Sequence, residues 1–213
     1  MSDAESRAAQ DNPWVMYLVI RRERDAQVPF MQDVARAAAL ACVTVLNSEA
    51  NQQDPLRQES IKQWLDHSFR KVTLRARGSR WQQLAALPGA SAVNCEDVET
   101  LAFVPMRRSD RPRLLQQAQA LIEALPDREA EPSVEVPVLW MNPTLTMSSG
   151  KIAAQASHLA AMLNQQRPVT DVQVKTAERV TWHMLADDPN LVQVQDAGLT
   201  EIEPGSITFR SVG

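Results

Sequence analysis

Trp14-Val15-Met16-Tyr17-Leu18-Val19-Ile20 is an unbroken apolar run, and after a polar turn with Pro29 an alanine-rich stretch follows over 30–46. A short run of β-branched and aromatic residues bounded by polar residues reads as a buried strand. Val34, Ala37, Ala38, Ala41 and Val45 recur at helical spacing, so the next stretch reads as a helix. The same order returns later in the chain. Val136-Pro137-Val138-Leu139-Trp140-Met141 is a second strand, with Pro137 pointing to an edge or a strand start. An alanine-rich helix follows it over 151–164, and Val34-Ala35 lines up with Ile152-Ala153. A chain that alternates strands and helices in this way builds a partly parallel sheet covered by helices.

The remaining elements fill out both halves. In the first, 55–65 reads as a helix, Lys71-Val72-Thr73-Leu74-Arg75-Ala76-Arg77 alternates as a strand, and 80–87 is a short helix broken by Pro88-Gly89. A strand over 98–104 and a closing helix over 112–125 complete it. In the second, 172–175 is a strand, 178–185 a short helix, and 191–194 and 206–212 the last two strands. The echo predicts an α/β protein of two tandem small units, each a mixed sheet of about four strands covered by helices. Residues 126–133, Pro-Asp-Arg-Glu-Ala-Glu-Pro-Ser, carry linker chemistry. The expected units are therefore 13–125 and 134–213.

Composition narrows the class. The 213 residues carry a formal net charge of -4. Residues 13–125 hold 15 basic and 12 acidic side chains (+3), residues 126–213 hold 6 and 11 (-5), and the first 12 residues supply -2. An acidic chain still binds nucleic acid where its basic residues share a face. The apolar runs fall well short of the ~20 residues of a membrane span, and the polar start is no secretory signal. Cys42 and Cys95 are the only cysteines, which suits a reducing cytoplasm. His67, His158 and His183 lack metal-ligand spacing, so no metal is expected. Trp81 and Trp182, each in a short helix after the second strand of its half, read as core packing, with a stacking platform for bases as the other reading.

Two segments carry chemistry. Ser148-Ser149-Gly150-Lys151-Ile152-Ala153-Ala154-Gln155-Ala156-Ser157-His158 opens the second alanine-rich helix with a serine cap and a lysine in the first turn. A helix N-terminus with an added cation suits phosphate or a developing oxyanion. Lys151, Gln155 and His158 fall on one helix face. Asp196-Ala197-Gly198-Leu199-Thr200-Glu201-Ile202-Glu203-Pro204-Gly205-Ser206-Ile207-Thr208 reads as a strand end, a turn and a returning strand, with a carboxylate and two hydroxyls.

Together these segments resemble the signature of the type 2 peptidyl-tRNA hydrolase family, in which Gly-Lys-Ile/Val-Ala-Ala-Gln-x-x-His faces Asp-Ala-Gly-x-Thr-x-Ile-x-Pro-Gly-x-x-Thr. The resemblance covers roughly the last 80 residues. It implies hydrolysis of the ester joining a peptide or N-acyl-aminoacyl group to the 3′ ribose of tRNA, without metal or organic cofactor, in the cytoplasm. It carries the catalytic roles to Lys151, Asp196, Thr200 and Thr208, and substrate contacts to Ser149, Gly150, Gln155, His158 and Gly198. It also implies tRNA as partner and a pseudo-dimer within the chain, leaving a homo-oligomer open.

The chain departs from the family where a second lysine usually precedes the catalytic one, here Ser148 or Ser149, and where a charged pair follows the first strand, here Met141-Asn142-Pro143. The segment 165–171 is also short for the family. In the first half Asp33 aligns with Lys151 and Leu40 with His158, so that half reads as a non-catalytic copy. Its arginines and lysine at 70, 71, 75, 77, 107, 108, 111 and 113 are candidate tRNA contacts. A relative that binds RNA without cleaving it is the alternative expectation.

Overall fold

The computed structural model describes residues 12–128, 135–197 and 201–213. The protein is α/β, with a six-stranded and a four-stranded mixed sheet. The first sheet comprises β1 (Trp14–Arg21), β2 (Arg70–Ala76), β3 (Ala90–Cys95), β4 (Val98–Phe103) and the two-residue strands β5 (Met106–Arg107) and β6 (Gln119–Ala120). The second comprises β7 (Val138–Met141), β8 (Gln173–Thr176), β9 (Leu191–Gln195) and β10 (Ile207–Val212). The principal helices are α1 (Met31–Asn47), α2 (Glu49–Gln53), α3 (Pro55–Gln63), α4 (Gly78–Ala85), α5 (Arg113–Gln116), α6 (Ser149–Gln166) and α7 (Arg179–Met184).

The two sheets share one topology. The spatial order β3-β4-β1-β2 in the first matches β9-β10-β7-β8 in the second. In each, the first strand runs parallel to the second and antiparallel to the fourth, and the third and fourth pair as antiparallel neighbours. The first sheet exceeds the expected four strands because β5 extends beside Trp14 and Val15 and β6 beside Leu74 and Arg75.

The helices α1 and α6 lie between the sheets. Helix α1 is buried almost all round, which a helix tolerates only when both sides are covered. Its Met31, Ala35, Ala39 and Val43 enter the core of the second sheet with Leu139, Ile152, Leu159 and Phe209. Its Val34, Ala38 and Cys42 enter the core of the first with Met16, Leu18 and Ile20, where Ala153 and Ala161 of α6 join them. The small alanine side chains let the backbones approach. Both helices run the same way. Their N-terminal ends hang from one segment, with Met31 N–H bonded to Pro126 O (2.8 Å) and Ser149 N–H to Glu123 O (3.3 Å). Near their C-terminal ends Asn47 and Asn164 exchange amide hydrogen bonds of 3.0 and 2.9 Å. The opposite face of the first sheet is closed by Trp81 and Leu84 of α4 and Leu115 of α5. Among the described residues, no helix is long and apolar enough to cross a membrane.

Other elements differ from expectation as well. The helix expected over 112–125 is only the short α5, and the chain then forms β6 and an extended crossing over 121–128. Leu121 is buried there, and its carbonyl rests on Gly150, where an added Cβ would stand 2.1 Å from that oxygen. A helix in that place would collide with the start of α6. Strand β3, with Ser91 and Asn94, is a half-exposed edge strand of weak strand propensity. Of the stretch read as a linker, 126–128 is tied down: Asp127 accepts from Gln32 of α1 and from Thr176 of β8 (2.9 Å to Oδ2).

Candidate active site at the start of helix α6

Ser148 caps α6. Its hydroxyl accepts from Lys151 N–H at 3.3 Å, which directs the first turn and the Lys151 side chain toward the end of β9. Asp196 follows β9 directly. Its backbone is clamped, with N–H donated to Ser206 O (2.8 Å) and C=O accepting from Gly205 N–H (2.9 Å). Gly205 holds φ +84°, a left-handed value that suits glycine and closes the turn into β10. The strand β10 then shifts register between Ile207 and Phe209, and Thr208 sits in that irregularity, fully buried.

These elements bring Lys151, Gln155, Asp196 and Thr208 together. Lys151 Nζ forms an ion pair with Asp196 Oδ1. Gln155 Nε2 donates to the same oxygen at 2.8 Å. The Thr208 hydroxyl lies 3.3 Å from both Gln155 Oε1 and Val194 O, able to donate to either. The Lys151 and Asp196 side chains are 10% and 5% exposed. Two donors on one oxygen fix the plane of the Asp196 carboxylate, and the low exposure keeps the pair in a weakly screened setting.

The other expected residues separate. Ser149 is buried, with its N–H on Glu123 O and its hydroxyl without a hydrogen-bond partner among the described residues. Gly150 is buried beneath the Leu121 carbonyl, where it makes room for the crossing segment. Gly198 and Thr200 lie outside the described residues. His158 shares the helix face but points away from Asp196. Its ring meets Phe69 edge-on, with centroids 4.2 Å apart. Burial, with a smaller push from Lys71, drives its pKa down to about 2, so it packs as a neutral ring.

Sequence reasoning missed Glu201. Its carboxylate accepts from Ser148 N–H (2.7 Å) and from the Ser148 hydroxyl (2.6 Å), so an acid already complements the positive end of α6. Only the fold brings these two residues together, and the sequence gives no signal of it. Asn142, at a position that departs from the family pattern, also has a role. It donates from Nδ2 to Ile207 O (2.7 Å) and accepts from Thr144 N–H (2.9 Å), tying the end of β7 to the start of β10. Trp81 and Trp182 are core residues, 6% and 7% exposed.

The first half carries different chemistry at the equivalent place. Asp33 in the first turn of α1 pairs with Arg128 (2.6 Å), and Glu96, directly after β3, pairs with Arg36 (3.2 Å). Acids thus stand at both positions that hold Lys151 and Asp196 in the second half. Two of the candidate RNA contacts are engaged within the protein. Arg75 faces Glu123 (3.7 Å). Lys71 is half-buried, with Nζ 3.9 Å from the Phe69 ring centroid, 4.6 Å from that of Trp64, and donating to Phe69 O at 3.2 Å. The cage forms where a π-helical turn (Trp64–Ser68) ends at Phe69 with φ 45°. Burial lowers the Lys71 pKa to about 8 and raises that of the neighbouring Cys42 to about 11.

Among the described residues, no group of histidines, cysteines and acids is arranged to hold a metal. Comparison with protein-family models, with curated proteins and with solved structures finds no match to this chain.

Proposed function

We propose that the chain hydrolyses the ester between a peptidyl or N-acyl-aminoacyl group and the 3′ ribose of tRNA, at Lys151 and Asp196. The convergence of Lys151, Gln155, Asp196 and Thr208 at the start of α6 supports this reading. In the reaction, Asp196 orients a water and accepts its proton, directly or through a hydroxyl, as the water oxygen bonds to the ester carbon. The Lys151 ammonium stabilises the resulting oxyanion. Collapse breaks the bond to the ribose 3′ oxygen, which leaves with the proton. Gln155 holds the carboxylate plane, and Thr208 holds Gln155. A cytoplasmic location accompanies this reading and agrees with two buried free thiols.

A second reading, RNA binding without cleavage, draws on the near-complete burial of the Lys151–Asp196 pair and on the Glu201 carboxylate over the helix start. Hydrolysis of a purified N-acyl-aminoacyl-tRNA decides between them. Asp196→Asn and Lys151→Ala are each expected to lower the rate by ~100-fold or more. A folded wild-type protein that binds tRNA and releases no acyl group selects the second reading.

A further inference from the structure

The segment Arg107-Arg108-Ser109-Asp110-Arg111-Pro112-Arg113 holds four arginines and one acid, a local charge of +3 in a chain of net charge -4. The fold adds a fifth arginine. Arg107 pairs with Trp14 at the start of β1, and Arg70 pairs with Val15 on the other side of that strand. Arg111 lies 5.6 Å from the ring centroid of Tyr17, which shares the strand face of Val15. Arg107 lies 4.8 Å from the Trp14 ring centroid. Among the described residues, none of these five arginines forms an ion pair, as also holds for Arg24, Arg77, Arg80, Arg167, Arg179 and Arg210, but only these five gather at one end of a strand. The single acid, Asp110, is engaged by the Ser109 hydroxyl at 2.7 Å.

Position sets the kind of partner. The cluster surrounds the start of β1, while the α6 site lies near its far end. Ile20 pairs with Arg75, Arg75 faces Glu123, and the Glu123 carbonyl holds Ser149 at the start of α6. From Trp14 to Ile20 the strand covers about 20 Å, at ~3.3 Å per residue. One small anion does not reach both places, whereas a folded polyanion does. The cluster consists of arginines, whose planar forks suit phosphate oxygens, and two of them rest on rings that fix their stems. The exposed large apolar side chains, Val28, Leu56, Ile122, Val180 and Met184, all lie outside the segment, so it offers no apolar wedge to a lipid surface.

We propose that Arg70, Arg107, Arg108, Arg111 and Arg113 form a docking surface for the phosphate backbone of RNA. Resting on the ester-hydrolysis reading, the RNA is the body of the tRNA whose acylated 3′ end reaches Lys151 and Asp196. The first half thereby contributes substrate grip where it has no catalytic pair.

The test uses the full chain and the Arg108→Glu/Arg113→Glu double variant, since both side chains are exposed. Binding of deacylated tRNA is read by fluorescence anisotropy across a salt series, and cleavage is read on a short acylated CCA-end fragment. The variant is expected to bind tRNA at least tenfold more weakly near 0.1 M salt. Its log-affinity slope against log salt is expected to fall by about two, and its cleavage of the fragment to stay unchanged. Variant tRNA affinity within twofold of wild type, with a native circular dichroism spectrum, overturns the docking surface and leaves the esterase standing. A wild type that leaves the fragment intact, with tRNA binding still lost in the variant, removes the esterase and keeps the surface. Tighter wild-type binding to anionic phospholipid vesicles or to duplex DNA than to tRNA overturns the assignment to RNA.

Discussion

Lys71→Met is expected to stabilise the protein at neutral pH. The ammonium is half-buried against Trp64 and Phe69, and among the described residues no carboxylate pairs with it. Its folded pKa of about 8 lies below the ordinary 10.5. Between those values the unfolded chain keeps a proton that the folded chain has released, so stability rises with pH. Below pH 8 both states are protonated and the full cost of burial is present. The gap of 2.5 pH units corresponds to a ceiling of about 3 kcal/mol. Methionine keeps the stem and the ring contact but loses a cation–π attraction and one hydrogen bond, about 1 kcal/mol each. The net expectation is a gain of about 1 kcal/mol at pH 6.5 that reverses to a loss of about 2 kcal/mol at pH 10.5, because only the wild type gains about 3 kcal/mol across that range. Cys42 works in the opposite sense. Its folded pKa of about 11 exceeds the ordinary 9.0, so its contribution is complete below pH 9 and is lost as pH rises toward 11. The two trends mask each other in the wild type, so the informative quantity is the variant minus wild type. Urea denaturation followed by circular dichroism, with reductant, at steps from pH 6.5 to 10.5 measures it. A variant less stable than wild type at pH 6.5, or a difference flat across the range, refutes the argument.

Gly150→Ala drives a methyl into the Leu121 carbonyl and is expected to cost about 3 kcal/mol or more, read as a lowered urea midpoint. A change below 0.5 kcal/mol would falsify that contact. Glu201→Gln weakens the cap on α6, with an expected loss of about 0.5–1 kcal/mol that shrinks in 1 M salt, measured by thermal denaturation at two ionic strengths. For Asn47→Ala and Asn164→Ala, a double-mutant cycle should return a coupling of about 1 kcal/mol. A coupling near zero would mean that the reciprocal amide bonds hold nothing.

The strands and the two long helices were legible because their patterns are local: an apolar run at 14–20, alanines and valines at helical spacing in α1, and their echo at β7 and α6. The closing helix was misread because Leu114, Leu115, Ala118, Leu121 and Leu125 also recur at helical spacing. Here tertiary contact overrides the pattern, with Leu121 pulled beneath α6 and Gly150 making room for it. The convergence of Lys151, Gln155, Asp196 and Thr208 was legible from two segments read together. His158 shared their helical face but turned to Phe69, because facing along a helix does not decide what lies opposite. Glu201 on Ser148 and the cage around Lys71 join residues far apart in the chain, and no local pattern reports them.

The shared helical layer bears on how such a chain is able to change over time. Because α1 supplies a wall to both sheets, the half with Asp33 and Glu96 cannot be dispensed with. Packing at Ala35, Ala38 and Ala39 is fixed by the cores on the two sides of the helix. A change at any of these alanines is felt by both sheets at once.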